Sequence, residues 1–266
     1  MKSLSFSIVC SVMLLLGGIH SSLHTQPLDG RTIVQKNDQQ QKSQDEYTEM
    51  TMTLISKTGK KRIRKVVQYQ QTDDRGDKKI LIRFLSPPDI KGTGLLTLEH
   101  HNREDEQWLY LPALRRIRRI SAAEKSDNFV GTDFTYQDLK SEEMDQYNYR
   151  LTGEEVIDSI PCYVVEAIPN NKNERKKSAY GKRIFWISKD HFVLVQVHFF
   201  DKKGKLFKTL NAREIREIDN TNKWRAWHIE MINLNSGHRT ILKYHQIKIN
   251  RGVPGRFFSK RYLKRG

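Results

Sequence analysis

The chain contains many short runs in which apolar and polar residues alternate. In the first run, Met50, Met52 and Leu54 are separated by single Thr residues. A period of two residues is typical of a β-strand that buries one face. Similar runs recur as far as residue 249, and most are separated by turn residues such as Pro87-Pro88-Asp89 and Asn235-Ser236-Gly237. The pattern predicts a mainly β fold built as a long antiparallel meander.

Two segments depart from this alternation. Residues 24–46 are polar and Gln-rich, and they predict a frayed start followed by one short helix. Residues 121–140 contain two possible helical turns on either side of Gly131, which predicts an insertion lying over one mouth or face of the sheet. No Pro/Gly/Ser-rich linker divides the chain, so we expect residues 23–266 to form one domain.

The N-terminus indicates export. Lys2 precedes an uncharged stretch from Ser3 to Ile19, which is the layout of a secretory signal peptide. The alternative is a membrane anchor, but the strongly apolar part is shorter than the ~20 residues that a spanning helix needs. We therefore assign residues 1–22 to a signal peptide. Since Cys10 lies within it, the mature chain would keep only Cys162, for which we predict a small, buried, apolar role.

The chain is strongly basic, with 47 Lys and Arg residues against 31 Asp and Glu residues and a formal net charge of +16. Such a charge predicts attraction to anionic surfaces. Export favours an anionic membrane surface over nucleic acid, and no nucleic-acid-binding signature is present in the sequence. The last residues, from Arg251 onward, contain no acid, and we expect a solvated, partly disordered end rather than a dedicated binding arm.

No motif for catalysis is evident. The sequence has no G-x-S-x-G elbow and no pair of histidines with a glutamate at metalloprotease spacing. Gly92-Thr93-Gly94 is too short for a phosphate loop. We therefore predict no catalytic residue, no metal and no cofactor, and we interpret the chain as a protein that holds a ligand noncovalently rather than as an enzyme.

A dense basic cluster follows the run from Trp108 to Pro112. Its members are Arg115, Arg116, Arg118 and Arg119. Consecutive residues of a strand point to opposite faces, so one pair of arginines could face inward and need anionic partners. Two interpretations stay open: a headgroup site, or a network with Asp133 and Asp138 that anchors the insertion to the sheet.

Three segments resemble a known family. They are residues 83–94 (RFLSPPDIKGTG), 105–114 (DEQWLYLPAL) and 131–139 (GTDFTYQDL). Together they resemble the bacterial outer membrane lipoprotein-sorting protein family, which is related in fold to the periplasmic lipoprotein carrier LolA. The resemblance extends from about residue 29 to the C-terminus.

The resemblance implies a strongly curved, incompletely closed antiparallel β-barrel, a LolA-like half-barrel. A short N-terminal helix and a helical or loop insertion would cover its concave face. It also implies a periplasmic carrier or chaperone for a lipid, a lipoprotein acyl chain or a similar hydrophobic cargo. Since relatives are often linked to export systems, the alternative is a non-catalytic accessory or sensor subunit, with an inner-membrane transporter of the resistance-nodulation class as partner. An enzyme acting on envelope lipids is a third possibility.

Strand alternation then suggests which side chains line the implied cavity. The predicted positions are Met50, Met52, Leu54, Ile80, Ile82, Phe84, Leu96, Leu98, Trp108 and Tyr110. Ordinary core packing is the alternative for each of them.

Overall fold

The computed structural model describes residues 28–265, so the predicted signal peptide lies outside the described residues. In the described chain, thirteen strands form one sheet. The strands are β1 (Asp45–Ile55), β2 (Lys61–Thr72), β3 (Lys78–Ser86), β4 (Gly94–Leu98), β5 (Glu106–Leu111), β6 (Arg116–Arg119), β7 (Tyr147–Ile157), β8 (Ile160–Pro169), β9 (Lys182–Ser188), β10 (Leu194–Phe200), β11 (Leu206–Glu217), β12 (Trp224–Asn233) and β13 (Arg239–Ile249). The helices are α1 (Gly30–Gln41), α2 (Lys172–Lys177) and α3 (Lys260–Arg265).

The sheet consists of two antiparallel meanders that meet at its centre. Strands β1–β6 run outward to one edge, strands β7–β13 return from the other edge, and β13 pairs with β1. The two edge strands, β6 and β7, are consecutive in the chain and do not pair with each other, so the barrel is not closed. The mainly β, incompletely closed antiparallel fold is therefore confirmed.

One face of the sheet, here called the inner face, curves around the main core. Met50 of β1, Val165 of β8 and Phe199 of β10 belong to the same buried cluster, although their strands are far apart in the sheet order. Such a cluster requires the sheet to bend, because flat strands at this separation could not share contacts. Helix α1 contributes Ile33 and Val34 to the same cluster, so it lies on the inner face.

Both ends of helix α1 are held. Asp29 caps the N-terminus, where its Oδ1 accepts a hydrogen bond from the backbone N–H of Thr32 at 2.7 Å. At the C-terminus, Lys223 Nζ donates to the carbonyl of Gln39 at 2.7 Å, and Arg225 donates to the carbonyl of Gln40. Cations at this end also complement the helix dipole. The predicted N-terminal helix is thus confirmed and fixed across the inner face.

The chain between the two edges of the sheet, residues 120–146, forms the predicted insertion. It consists mostly of loops and short 3₁₀ turns, including Ala122–Ser126 and Gln137–Leu139. Phe129 is buried and stacks on Phe84 of β3 at a ring-centroid distance of 5.7 Å. Arg64 of β2 donates to the carbonyl of Val130 at 2.8 Å. The insertion therefore covers part of the inner face, as predicted.

The basic C-terminal segment, residues 251–265, is ordered, so the expectation of a disordered end is wrong. It packs on the outer face of the sheet, where Phe258 and Leu263 are buried against Leu81 and Leu96. Arg83 of β3 donates to the carbonyl of Leu263 at 3.2 Å and to that of the preceding residue at 2.7 Å. Apolar residues interspersed among the lysines and arginines explain this order, because they bury area on the sheet.

Candidate functional site

Two adjoining hollows lie between the inner face, α1 and the insertion. The smaller one, here called the apolar cavity, has a volume of about 470 Å³, and the larger one, here called the polar cavity, has a volume of about 760 Å³. They share lining residues, among them Phe134, Leu194 and Leu210. Each falls within the ~300–1,000 Å³ that is usual for ligand pockets. The fold therefore encloses space that its own side chains do not fill.

The walls of the apolar cavity come from alternate residues of neighbouring strands. Met50 and Met52 of β1 and Ile80 and Ile82 of β3 project into it, together with Leu242 of β13. All five side chains are at least nine-tenths buried. Methionine is flexible and polarizable, so these walls can adapt to an irregular apolar ligand.

The ten positions predicted to line a cavity separate into three groups. Those on the apolar cavity are Met50, Met52, Ile80 and Ile82. Leu54 and Phe84 share the inner face with them but are enclosed in the packed core. Leu96, Leu98, Trp108 and Tyr110 belong to the outer-face cluster under the C-terminal segment, so the prediction for these four is wrong. The inner face at β4 and β5 is occupied instead by Leu95 and Leu109.

Asp138 anchors the insertion, but its cationic partner is a lysine. Its carboxylate accepts from Tyr180 Oη at 2.7 Å and pairs with Lys208 Nζ at 3.0 Å. The Lys208 side chain is only 3% exposed, and its Nζ also donates to the carbonyl of Asp133 at 3.1 Å. Burial, together with the charge of Asp138, raises the pKa of Tyr180 well above its ordinary value, so the phenol stays a proton donor.

Asp133 provides a second anchor. Its buried carboxylate accepts from Thr240 Oγ1 of β13 at 2.7 Å, and it lies 2.6 Å from His238 Nδ1. The backbone N–H of Asp133 donates to the same Thr240 hydroxyl at 3.0 Å. The two aspartates therefore attach the insertion to the β9–β13 half of the sheet.

The four arginines do not take part in this network. Arg115 and Arg116 are exposed, Arg118 pairs with Glu124 at 2.5 Å, and the Arg119 guanidinium lies 5.9 Å from the Trp108 ring centroid. The predicted pairing of these arginines with Asp133 and Asp138 is therefore wrong. Strand β6 is a short strand at the edge of the sheet. The long side chain of an arginine on such a strand reaches solvent more easily than it reaches the covered inner face.

Sequence reasoning missed Lys208 and Tyr180. The available signal was the position of Lys208 within the apolar run Leu206–Leu210, because a lysine in such a strand needs a buried partner. Tyr180 gave no comparable signal, since it lies in a basic, turn-rich stretch.

The polar cavity carries paired charges. Arg183 forms an ion pair with Glu142, and its guanidinium lies 4.7 Å from the Tyr147 ring centroid. Burial raises the pKa of Tyr147 to about 12. Lys140 pairs with Asp105 at 2.7 Å. Within residues 28–265 no group of three or more His, Cys, Asp or Glu side chains is arranged to hold a metal ion. Two cations that line the polar cavity, Arg183 and Lys140, are thus neutralised by acids of the protein.

Cys162 is buried in the sheet, and this burial gives a testable prediction. Burial raises the pKa of its thiol to about 11. Since the thiolate is the reactive form, Cys162 in the native protein at pH 8 should react with an aromatic disulfide reagent at least ~100-fold more slowly than free cysteine. Absorbance of the released thiolate measures the rate, and unfolding in guanidinium should restore it. Rapid labelling of the native protein would contradict the buried placement.

No helix in the described part of the chain is long and apolar enough to cross a membrane.

An open antiparallel sheet, with an apolar hollow covered by a helix and an insertion, defines a binding protein of LolA-like fold. A family model whose description reads "Uncharacterized protein" matches residues 76–265. A putative outer membrane lipoprotein-sorting protein domain from Vibrio parahaemolyticus is 32% identical, with a TM-score of 0.81 over 89% of this chain and 98% of that chain. The chain belongs to this LolA-like lipoprotein-sorting family.

Two further solved structures are similar. A DUF1329 family protein from Desulfovibrio piger ATCC 29098 is 29% identical, with a TM-score of 0.82 over 88% of this chain and 97% of that chain. A LolA superfamily protein from Nitrosomonas europaea is 18% identical, with a TM-score of 0.69 over 89% of this chain and 100% of that chain, and it supports the fold alone. Among curated proteins, none matches this sequence closely.

Proposed function

We propose that the chain is a periplasmic carrier that holds a lipid, or the acyl chain of a lipoprotein, and moves it within the cell envelope. In this proposal residues 1–22 are removed on export, and residues 23–266 form one non-catalytic binding domain. The observation that carries the proposal is the apolar cavity of about 470 Å³ on the covered inner face. The Vibrio relative, described as a putative lipoprotein-sorting domain, supports it.

Burial of the acyl chain would supply most of the binding free energy. Each buried methylene contributes ~0.8 kcal/mol, so a chain of 16 carbons would contribute roughly 12 kcal/mol before ordering costs are subtracted. A basic side chain near an anionic membrane contributes nearer ~1 kcal/mol. Met50, Met52, Ile80 and Ile82 would therefore retain the cargo, while surface charge would dock the carrier on an anionic membrane.

The C-terminal segment favours a second candidate function. Residues 251–265 pack on the outer face, away from the cavity, and they carry several lysines and arginines and no acid. A fixed basic surface of this kind suits a protein partner as well as a membrane. The second candidate is therefore an accessory or sensor subunit of an envelope export system, with an inner-membrane transporter as its partner.

Lipid analysis tests the proposal. The protein is exported to the periplasm of a Gram-negative host, purified without detergent and extracted with organic solvent, and the extract is quantified by mass spectrometry. We expect close to one acyl lipid per chain, because a dry apolar cavity retains amphiphiles through purification. An empty protein that binds no added lipid but captures a membrane transporter would replace the carrier function with the accessory one.

A further inference from the structure

One end of the apolar cavity is polar. The register places the start of β1, the end of β2 and the start of β3 side by side, so that Glu46 is opposite Gln70 and Gln70 is opposite Ile80. Lys78 precedes Ile80 by two residues, which puts both side chains on the inner face. Glu46, Gln70, Lys78 and Arg225 all line the cavity, and we call this group the polar end.

Lys78 differs from the other cations that line this cavity. Arg225 pairs with Glu46 at 3.1 Å, and Lys140 pairs with Asp105 at 2.7 Å. Lys78 is 9% exposed, yet among the residues that the structure describes its ammonium forms no ion pair and no hydrogen bond. Its Nζ keeps some accessible surface, so a bound molecule can reach it.

Glu99 is the acid next to Lys78 across the β3–β4 pair, but its carboxylate is already engaged. One oxygen accepts from the backbone N–H of Ser141 at 2.7 Å, and the other accepts from the backbone N–H of Lys78 at 3.2 Å. Burial raises the pKa of Glu99, and the nearby charge of Lys78 acts against that rise, although the two groups form no ion pair. Glu99 therefore attracts the Lys78 ammonium from a distance but accepts none of its hydrogen bonds.

An ammonium on a nearly buried side chain that has no hydrogen-bond or ion-pair partner is costly, and an anion that reaches it relieves that cost. Lys78 lines the apolar cavity, where Met50 and Ile80 form the adjoining wall, so an anion held in this cavity can reach it. A molecule that contacts both the Lys78 ammonium and the apolar wall carries an anionic group and an apolar chain. We propose that Lys78 binds the carboxylate or phosphate of an amphiphilic cargo, an inference that rests on the proposed function because it needs the chain to occupy this cavity.

Three ligands with the same 16-carbon chain test the inference: hexadecanoate, hexadecyl phosphate and hexadecanol. Their affinities are measured by displacement of a neutral fluorescent alkyl probe. The wild type should bind at least one of the two anions about tenfold or more tightly than the alcohol, since a hydrogen bond to a charged group is worth that factor. The anion that binds more tightly shows whether the natural cargo carries a carboxylate or a phosphate.

The Lys78→Met variant should bind the anions no better than the alcohol, with alcohol affinity within about twofold of the wild type, because Met keeps the apolar part of the side chain. The Lys78→Arg variant should retain the preference. Lys79→Met is the matched control, because Lys79 is the next residue and faces the other side of the sheet. It removes the same charge and should keep the preference.

The outcomes separate the inference from the proposed function. Equal affinity of the wild type for all three ligands overturns the inference and leaves the carrier in place. Equal losses in Lys78→Met and Lys79→Met also overturn it, because the effect would then come from net charge. If the wild type binds none of the three ligands, the proposed function fails, and the inference fails with it.

Discussion

The Ala212→Trp variant is expected to lose at least about tenfold in lipid affinity, and in co-purifying lipid, while it keeps its fold. Ala212 of β11 is buried on the wall of the apolar cavity. An indole at this position would occupy space that we assign to the acyl chain, and the hollow would accept it with less strain than a packed core. Displacement of a fluorescent alkyl probe measures the loss, and circular dichroism checks the fold.

The matched control is Ala113→Trp, because Ala113 is exposed in the 3₁₀ turn Pro112–Leu114, before the edge strand β6. It adds the same indole far from the apolar cavity and should bind lipid like the wild type. Wild-type affinity in a folded Ala212→Trp protein would show that lipid binds elsewhere or not at all. The accessory function would then be the better candidate.

The Lys208→Met variant is expected to lower the free energy of unfolding by about 3–5 kcal/mol, which is the usual cost of removing one partner of a buried ion pair. Lys208 neutralises Asp138 and donates to both Tyr180 Oη and the carbonyl of Asp133. Without it, the Asp138 carboxylate would lose its counter-charge and the carbonyl of Asp133 would lose a donor. Urea denaturation followed by tryptophan fluorescence measures the change.

Lys205→Met serves as the control for this experiment. Lys205 is three residues earlier, in the exposed turn before β11, and its Nζ donates to Asn235 at 3.2 Å. An exposed substitution of this kind should change stability by less than ~0.5 kcal/mol. If the two variants were equally stable, the insertion would not depend on the buried pair, and its attachment would have to come from Phe129 and the other aromatic contacts.

The alternation of apolar and polar residues was sufficient to predict the outline of the fold and some of the residues on the inner face. Met50 and Met52 alternate with threonines, so their common direction can be read from the sequence, whereas Ile80 and Ile82 stand on either side of the equally apolar Leu81. The helix and the insertion could be anticipated because their composition departs from the strand pattern. Whether these four side chains contact cargo remains a prediction.

The direction of the side chains in β4 and β5 could not be read in the same way. Adjacent apolar residues, such as Leu95 and Leu96, are buried on both faces there, so the period of two gives no direction. The outer face is buried by Phe258 and Leu263, which lie more than 140 residues further along the chain. No local signal shows a contact over that separation.

The partners of Asp133 and Asp138 could not be predicted from the sequence either. Asp138 and Lys208 are 70 residues apart, and Asp133 and Thr240 are 107 residues apart. The arginine cluster was nearer in sequence and richer in charge, but proximity along a chain does not place side chains on the same face of a sheet. Only the return of strands β9–β13 brings the actual partners to the insertion.

The pairing of β1 with β13 determines when the protein can finish folding. The first strand of the domain gains its second neighbour only after nearly all of the chain has been made. Until then β1 pairs only with β2 and leaves one edge open beside an unfinished core, which is a state prone to association with other chains. Such a high contact order makes folding slow, so early capture by folding helpers would protect the unfinished sheet.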